Sequence, residues 1–347
     1  MKTIHAHTKI GLLLLGAAMF TIASARADTY SWTNFQSDIA GVAQHTDPNL
    51  VNPWGMAVSP NGTIWVSDNG TGVSTLYHQD GTAASLVVTI PTAFQNRGTG
   101  TPTGVVFNGT QFFQVTENGN SGPALFIFVS EDGSISGWNP NVDQTNAIIA
   151  VDNGRNRGRN SAVYKSVTLG VASGHNFLYA SNFHTGKVET YDEGFHQVNP
   201  NGFVDPNLPA GYAPFGIRNF NGEIFVTYAK QDHAKHDDVP GLGFGFINVF
   251  DTSGNFLRRL VSNGNLNAPW GLALVEDELW VGNFGDGLIN VYDPTTGAFI
   301  ETLVRADGTP LQFDGLWDML PQANGVFFTA GIADESHGLF GLITENP

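Results

Sequence analysis

The stretch Asn52-Pro53-Trp54-Gly55-Met56-Ala57-Val58, followed by Thr63-Ile64-Trp65-Val66-Ser67-Asp68-Asn69 and then Ser74-Thr75-Leu76-Tyr77 before Asp80-Gly81, decides the fold. Its short β-branched and aromatic runs are separated by Gly, Asn and Asp, the punctuation of consecutive antiparallel strands. The same order returns far along the chain as Ala268-Pro269-Trp270-Gly271-Leu272-Ala273-Leu274, Glu278-Leu279-Trp280-Val281-Gly282-Asn283-Phe284 and Leu288-Ile289-Asn290-Val291-Tyr292-Asp293. Two copies so alike and so far apart define an internal repeat.

Weaker copies fill the space between and beyond. Thr101-Pro102-Thr103-Gly104-Val105-Val106 runs into Phe112-Phe113-Gln114-Val115-Thr116-Glu117-Asn118, and Ala213-Pro214-Phe215-Gly216-Ile217 into Glu223-Ile224-Phe225-Val226-Thr227-Tyr228. A further copy joins Val167-Thr168-Leu169-Gly170-Val171 to Phe177-Leu178-Tyr179-Ala180-Ser181-Asn182-Phe183, and the last joins Phe313-Asp314-Gly315-Leu316-Trp317-Asp318 to Gly325-Val326-Phe327-Phe328-Thr329-Ala330. Taking Gly55, Gly104, Gly170, Gly216, Gly271 and Gly315 as the leading glycines gives a period of about 50 residues, that of a propeller blade. The expectation is an all-β fold, a six-bladed β-propeller of four-stranded antiparallel blades forming one domain over residues 28–347. A ring of blades protects its edges only when closed. The strand from Tyr30 to Phe35 is expected to complete the last blade beside Leu339 to Ile343.

The first 27 residues read differently. Lys2 and Lys9 precede an apolar run from Ile10 to Ile22 and a small-residue end, Ala25-Arg26-Ala27, the layout of a secretory signal peptide cleaved after Ala27. The run is shorter than the roughly 20 residues that span a bilayer. The expected protein is secreted or periplasmic, monomeric, and without a membrane span after cleavage. Cleavage removes Lys2, Lys9 and Arg26 and no acid, moving the formal charge of −16 three units further negative. Such a surface repels phosphate backbones and makes nucleic acid an excluded partner. The chain contains no cysteine, so neither a disulfide framework nor a thiol nucleophile is available.

The Pro-Trp/Phe-Gly and Val-x-Asn/Asp patterns resemble those of NHL-type propellers. Longer strings carry a closer resemblance: Thr46-Asp47-Pro48-Asn49-Leu50-Val51-Asn52-Pro53-Trp54-Gly55, Ala162-Val163-Tyr164-Lys165, Tyr228-Ala229-Lys230-Gln231-Asp232 leading to Lys235-His236-Asp237-Asp238, and Ala330-Gly331 leading to Asp334-Glu335-Ser336-His337-Gly338-Leu339-Phe340-Gly341. They look like an uncharacterised family of secreted bacterial proteins, some with a PEP-CTERM sorting tail. Here the sequence ends Thr344-Glu345-Asn346-Pro347 without the apolar segment of such a tail. The resemblance implies export and fold, and no activity.

Antiparallel pairing puts the turn entering each inner strand and the loop leaving the second strand on one face. The entering turns carry Trp54, Thr103, Phe215, Trp270 and Trp317, with Trp54 and Trp270 read as packing between blades. Candidate ligand-binding residues around that mouth are Asp68, Glu117, Asn182, His184, Asn283 and Asp318, against the alternative that such Asp and Asn residues cap strands through Asx-turns. The loop Gln231–Asp238 is longer and more polar than its counterparts, and Asp232, His236, Asp237 and Asp238 are its candidate metal ligands. Carboxylate and amide oxygens suit calcium; His with carboxylate suits zinc. No catalytic set stands out: neither a G-x-S-x-G elbow nor a P-loop is present. The leading expectation is therefore a binding propeller holding a small molecule, an extracellular protein or a polysaccharide. The alternatives are a metal-dependent hydrolase or lyase of the lactonase-like type, with His236 or His184 moving the proton, and a surface-associated scaffold.

Overall fold

The computed structural model describes residues 28–93, 99–154 and 161–347, so the expected signal peptide lies outside the described residues. Within them the chain forms six blade sheets around an axis, antiparallel but for a short parallel edge strand, His45–Thr46, beside Tyr30–Ser37 in the sixth, and no helix occurs. Blade 1 consists of Pro53–Val58, Ile64–Asp68, Val73–Tyr77 and Val88–Thr89. Blade 2 consists of Pro102–Phe107, Phe126–Ser130, Ser134–Trp138 and Ile148–Asp152. Blade 3 runs Tyr164–Ala172, His175–Asn182, Lys187–Tyr191 and Gln197–Val198, and blade 4 runs Tyr212–Phe220, Glu223–Lys230, Gly245–Asp251 and Phe256–Ser262. Blade 5 is Pro269–Val275, Glu278–Asn283, Ile289–Tyr292 and Phe299–Thr302. Blade 6 takes Leu316–Gln322, Gly325–Ala330 and Leu339–Glu345 from the end of the chain and Tyr30–Ser37 from its beginning. That closure pairs Tyr30 with Glu345 through to Ser37 with Leu339, as the alternating aromatics near Tyr30 led us to expect.

Alternation explains why the strands read as continuous apolar runs. Successive side chains of a strand point to opposite faces, and both faces of a blade are covered by a neighbour. In Ile64–Asp68 the side chains of Ile64 and Val66 enter the core shared with blade 6, whereas Trp65 enters the core shared with blade 2. Six such clusters each fill the gap between two adjacent blades. The turn at Gly81 shows how tightly the closure is made: its φ is +85°, and a Cβ there would collide with the Phe35 ring of the closing strand.

Three of the repeat boundaries differ from those read along the sequence. In blade 2, Gln114–Glu117 and Asn120–Pro123 form a separate hairpin, and the true second strand is Phe126–Ser130. The hairpin imitates a strand pair in composition and is inserted before the blade resumes. In blade 3 the inner strand starts at Tyr164, so Ser166 rather than Gly170 stands at the position of Gly55 and Gly104; a Cβ on Gly104 would press against Ser166 and Val167 of that strand. In blade 6 the matching residue is Asp318 rather than Gly315, since a Cβ on Gly271 would meet the Trp317 carbonyl.

Candidate functional site

Aligning the inner strands by these contacts places one residue per blade in a ring around the axis: Trp54, Thr103, Lys165, Phe215, Trp270 and Trp317. The aromatic members pack on one another rather than wedging between blades. Trp54 stacks on Trp317 with centroids 3.4 Å apart, and Trp270 meets both rings edge-on at 6.1 and 5.8 Å. Phe183 and Phe215 join them in one buried cluster that closes the channel below the mouth. The Trp317 indole N–H donates to Asn52 Oδ1 (3.0 Å) and that of Trp270 to the Lys165 carbonyl (3.1 Å).

Lys165 is the one charged member of the ring, and its side chain is only 2% exposed. Its ammonium lies 5.1 Å from the centroid of Trp54 and 5.7 Å from that of Phe183. It donates to Glu131 Oε1 at 2.5 Å and to Asp237 Oδ1 at 3.3 Å. Burial by itself would lower the Lys165 pKa, but the two carboxylates outweigh it and the group is held above its ordinary value, fully charged. Glu131 follows the second strand of blade 2, and its other oxygen accepts from Asn69 Nδ2 (2.9 Å). Asn52 completes the near side, donating to Glu335 Oε2 at 2.7 Å.

The blade 4 loop covers the opposite side. Asp232 accepts the backbone N–H of His236 (2.9 Å), which folds the loop back on itself. Asp237 shares a hydrogen bond with His236 Nδ1 at 2.8 Å; this contact, with Lys165 adding to it against burial, lowers the Asp237 pKa to about 2. The same contact raises the His236 pKa. Asp238 has the opposite fate: burial pushes its carboxyl up to about 7, against the pull of Lys165, and its Oδ2 has no partner. Burial also raises Glu335. The mouth is therefore a cup over an aromatic floor, with a buried ammonium in its wall and acids whose pKa values are pushed in opposite directions around it.

Of the candidate ligand-binding residues, Asp68, Asn182 and Asn283 are buried strand ends that hold their own blades. Asn283 accepts from Asn267 N (3.1 Å) and donates to the Asn265 carbonyl (2.8 Å); Asn182 accepts from Val163 N (3.2 Å) and donates to Glu189 (2.8 Å). Asp68 accepts from Thr75 N at 2.9 Å. These are the strand-capping roles that Asx side chains commonly fill. His184 sits in the turn after Asn182, and Glu117 in the inserted hairpin, opposite Asn120. Asp318 lies deeper in the channel, where it pairs with Arg218 of blade 4 at 2.5 Å and accepts the Met56 N–H at 2.7 Å. Of the candidate metal ligands, His236 and Asp237 come together, and with Glu131 they place three ligand atoms within 4.8 Å of one another. Asp232 shapes the loop, and Asp238 faces the cup from beside Asp237. Glu131, Lys165 and Asn52 were missed as site residues. Structural equivalence to Trp54 is the signal that would have singled out Lys165.

Comparison with known proteins agrees with this architecture. The NHL repeat matches residues 50–72. "Uncharacterized protein R648" of Acanthamoeba polyphaga mimivirus is 32% identical over 88% of this chain and 77% of its own length, and "Uncharacterized protein L690" of the same virus is 30% identical over 88% and 83%. The chain belongs to the same family as these proteins. Among solved structures, virginiamycin B lyase from Staphylococcus aureus superposes with a TM-score of 0.53 at 14% identity, covering 91% of this chain and 99% of that one. A gluconolactonase from Xanthomonas campestris gives 0.51 at 13% identity over 85% and 87%. At such identities the likeness is one of fold.

Proposed function

We propose that this protein is an exported, monomeric binding propeller that takes a small, positively charged organic ligand in the cup formed by Asn52, Glu131, Lys165, Asp237, Asp238 and Glu335. The observation that carries the reading is Lys165. Its buried ammonium already satisfies Glu131 and part of Asp237, so the wall is preorganised before any ligand arrives. Acceptors remain in excess: Glu335 is engaged by Asn52 alone, and Asp238 retains a free oxygen. An amine supplies the donors that these acids lack.

A second reading rests on the three ligand atoms of Glu131, His236 and Asp237, which suit a divalent cation such as zinc or calcium and would support hydrolase or lyase chemistry. It requires Lys165 to give up the oxygens that it now holds. Elemental analysis of the purified protein, with melting curves before and after chelator, separates the two. Absence of a stoichiometric metal, together with a thermal shift on adding amine-bearing compounds that His236→Ala and Asp237→Asn weaken, supports the organic ligand. A bound metal whose removal lowers the melting temperature overturns it. Export has its own test: the mature protein begins at Asp28 if cleavage follows Ala27.

A further inference from the structure

We propose that a second site on the same face, between blades 5 and 6 and independent of the charged cup, binds a neutral saccharide ring. The turn that leaves the second strand of blade 5 and the segment that enters blade 6 enclose a cavity of about 440 Å³, lined by Phe284, Gly285, Asp286, Gly287, Gln312, Asp314 and Gly315. Three of these seven residues are glycines, so nothing but backbone occupies much of the wall. Gly287 and Gly315 have φ of +71° and +62°, and a Cβ on either would strike the backbone of the neighbouring segment. Both turns thus depend on glycine for the close approach of the segments that flank the cavity.

Phe284 gives the cavity an aromatic wall. It stacks on Trp317 with centroids 4.0 Å apart and planes 21° from parallel, and Trp317 stacks in turn on Trp54 at 3.4 Å and 19°. A partly exposed ring backed by two buried ones is rigid before a ligand arrives, so little ordering entropy is lost on binding. Unlike the floor of the cup, this ring has no ammonium beside it in the cavity lining.

The polar groups around Phe284 are acceptors held in place. Asp286 Oδ1 accepts from Leu288 N (3.1 Å) and Oδ2 from Asn267 Nδ2 (3.0 Å). Asp314 Oδ2 accepts from Ala333 N at 2.9 Å. Gln312, an exposed residue, donates from Nε2 to the Asp286 carbonyl (2.7 Å). A carboxylate oxygen can accept two hydrogen bonds, so each still has capacity. An aromatic face beside several fixed acceptors matches a pyranose, which presents a C–H face to the ring and hydroxyl donors at its rim. Anions are repelled by Asp286 and Asp314, and purely apolar ligands would strip these acids of water without return.

The test is titration of the purified protein with hexaoses of β-1,4-glucose, α-1,4-glucose and β-1,4-N-acetylglucosamine, followed by calorimetry and by tryptophan emission. The emission reports because Trp317 lies directly behind Phe284. At least one oligomer is expected to bind saturably and shift the emission. Phe284→Ala is expected to weaken it about tenfold or more, through loss of the stacking face. Gln312→Ala, at an exposed side chain that leaves the fold intact, should weaken it less, and His236→Ala should have no effect. The proposal is overturned if none of the three oligomers binds the intact protein. It is equally overturned if binding survives both Phe284→Ala and Gln312→Ala, or is lost in His236→Ala, which would move the sugar to the cup.

Discussion

Replacing Lys165 by Met tests whether the ammonium organises the mouth. The methionine keeps most of the volume and removes the charge, leaving Glu131, whose side chain is 11% exposed, with Asn69 alone and returning Asp237 to His236. Breaking one side of a buried ion pair costs about 3–5 kcal/mol, because the remaining charge keeps its desolvation penalty without its partner. For a domain of about 320 residues, with an unfolding entropy of about 2.1 cal/mol/K per residue, this corresponds to a fall of about 4–8 °C in melting temperature. Adding Glu131→Gln removes the stranded charge while retaining an acceptor for Asn69, so the double variant should recover about half of the loss or more. Scanning calorimetry of the parent, both single variants and the double variant at pH 7 completes the cycle. A Lys165→Met protein melting within about 1 °C of the parent, or a double variant no more stable than the single, would refute the claim that Lys165 and Glu131 form a buried pair.

Three further outcomes follow from other buried groups. Asp68, raised well above the ordinary carboxylate value by burial against the pull of Thr75, keeps its proton to higher pH in the folded state than in the unfolded chain, so the stability it lends at low pH is lost as pH rises. Asp68→Asn, which installs the residue found at the matching strand ends Asn182 and Asn283, should therefore stabilise the protein by about 1–3 kcal/mol at pH 8 and by much less at pH 4, read from urea midpoints. Arg218→Ala strands the fully buried Asp318 carboxylate, whose pKa burial already raises against Arg218; the expected loss is about 3–5 kcal/mol, larger at pH 8 than at pH 5, and an equal loss at both would contradict the assignment. Phe35→Ala removes the ring packed 6.2 and 6.3 Å from Phe327 and Phe340 in the closing blade, for a cost of about 3–5 kcal/mol. Hydrogen exchange should then show Tyr30–Ser37 and Leu339–Glu345 losing protection before the other blades, whereas uniform loss would show that closure is no weaker than the rest.

The ring of blades was legible because both faces of every strand are buried against neighbours, so each strand is written in Val, Ile, Phe and Trp and each turn in Gly, Asn and Asp. The closing strand was legible for the same reason: Tyr30 has no use for its apolar surface except against blade 5, nor Phe35 except in the core between blades 6 and 1. What misled was local imitation. The hairpin Gln114–Pro123 has the composition of a blade's second strand, and taking it as one hid Glu131, which follows the real strand. Gly170 looked like a leading glycine because it precedes a valine, and that choice hid Lys165 at the start of an inner strand that runs from Tyr164 to Ala172.

These two errors concealed the same ion pair, and for a physical reason. A repeat is recognised by what its copies share, whereas a site at the axis arises where one copy departs from the others. Five positions of the axial ring hold Trp, Phe or Thr, which fill space or satisfy a neighbouring carbonyl, as Thr103 Oγ1 does for Tyr164 at 2.8 Å. The sixth holds a lysine that cannot be buried alone, so acids must come to it from adjoining blades: Glu131 from one side and Asp237 from the other. Spacing along the chain carries no trace of that demand, because the partners lie in different repeats and meet only when the ring closes. The position that breaks the ring's chemistry is therefore where ligand binding in this fold is to be sought first, and the length of the blade 4 loop is a consequence of it: the loop must reach inward to bring Asp237 to the ammonium.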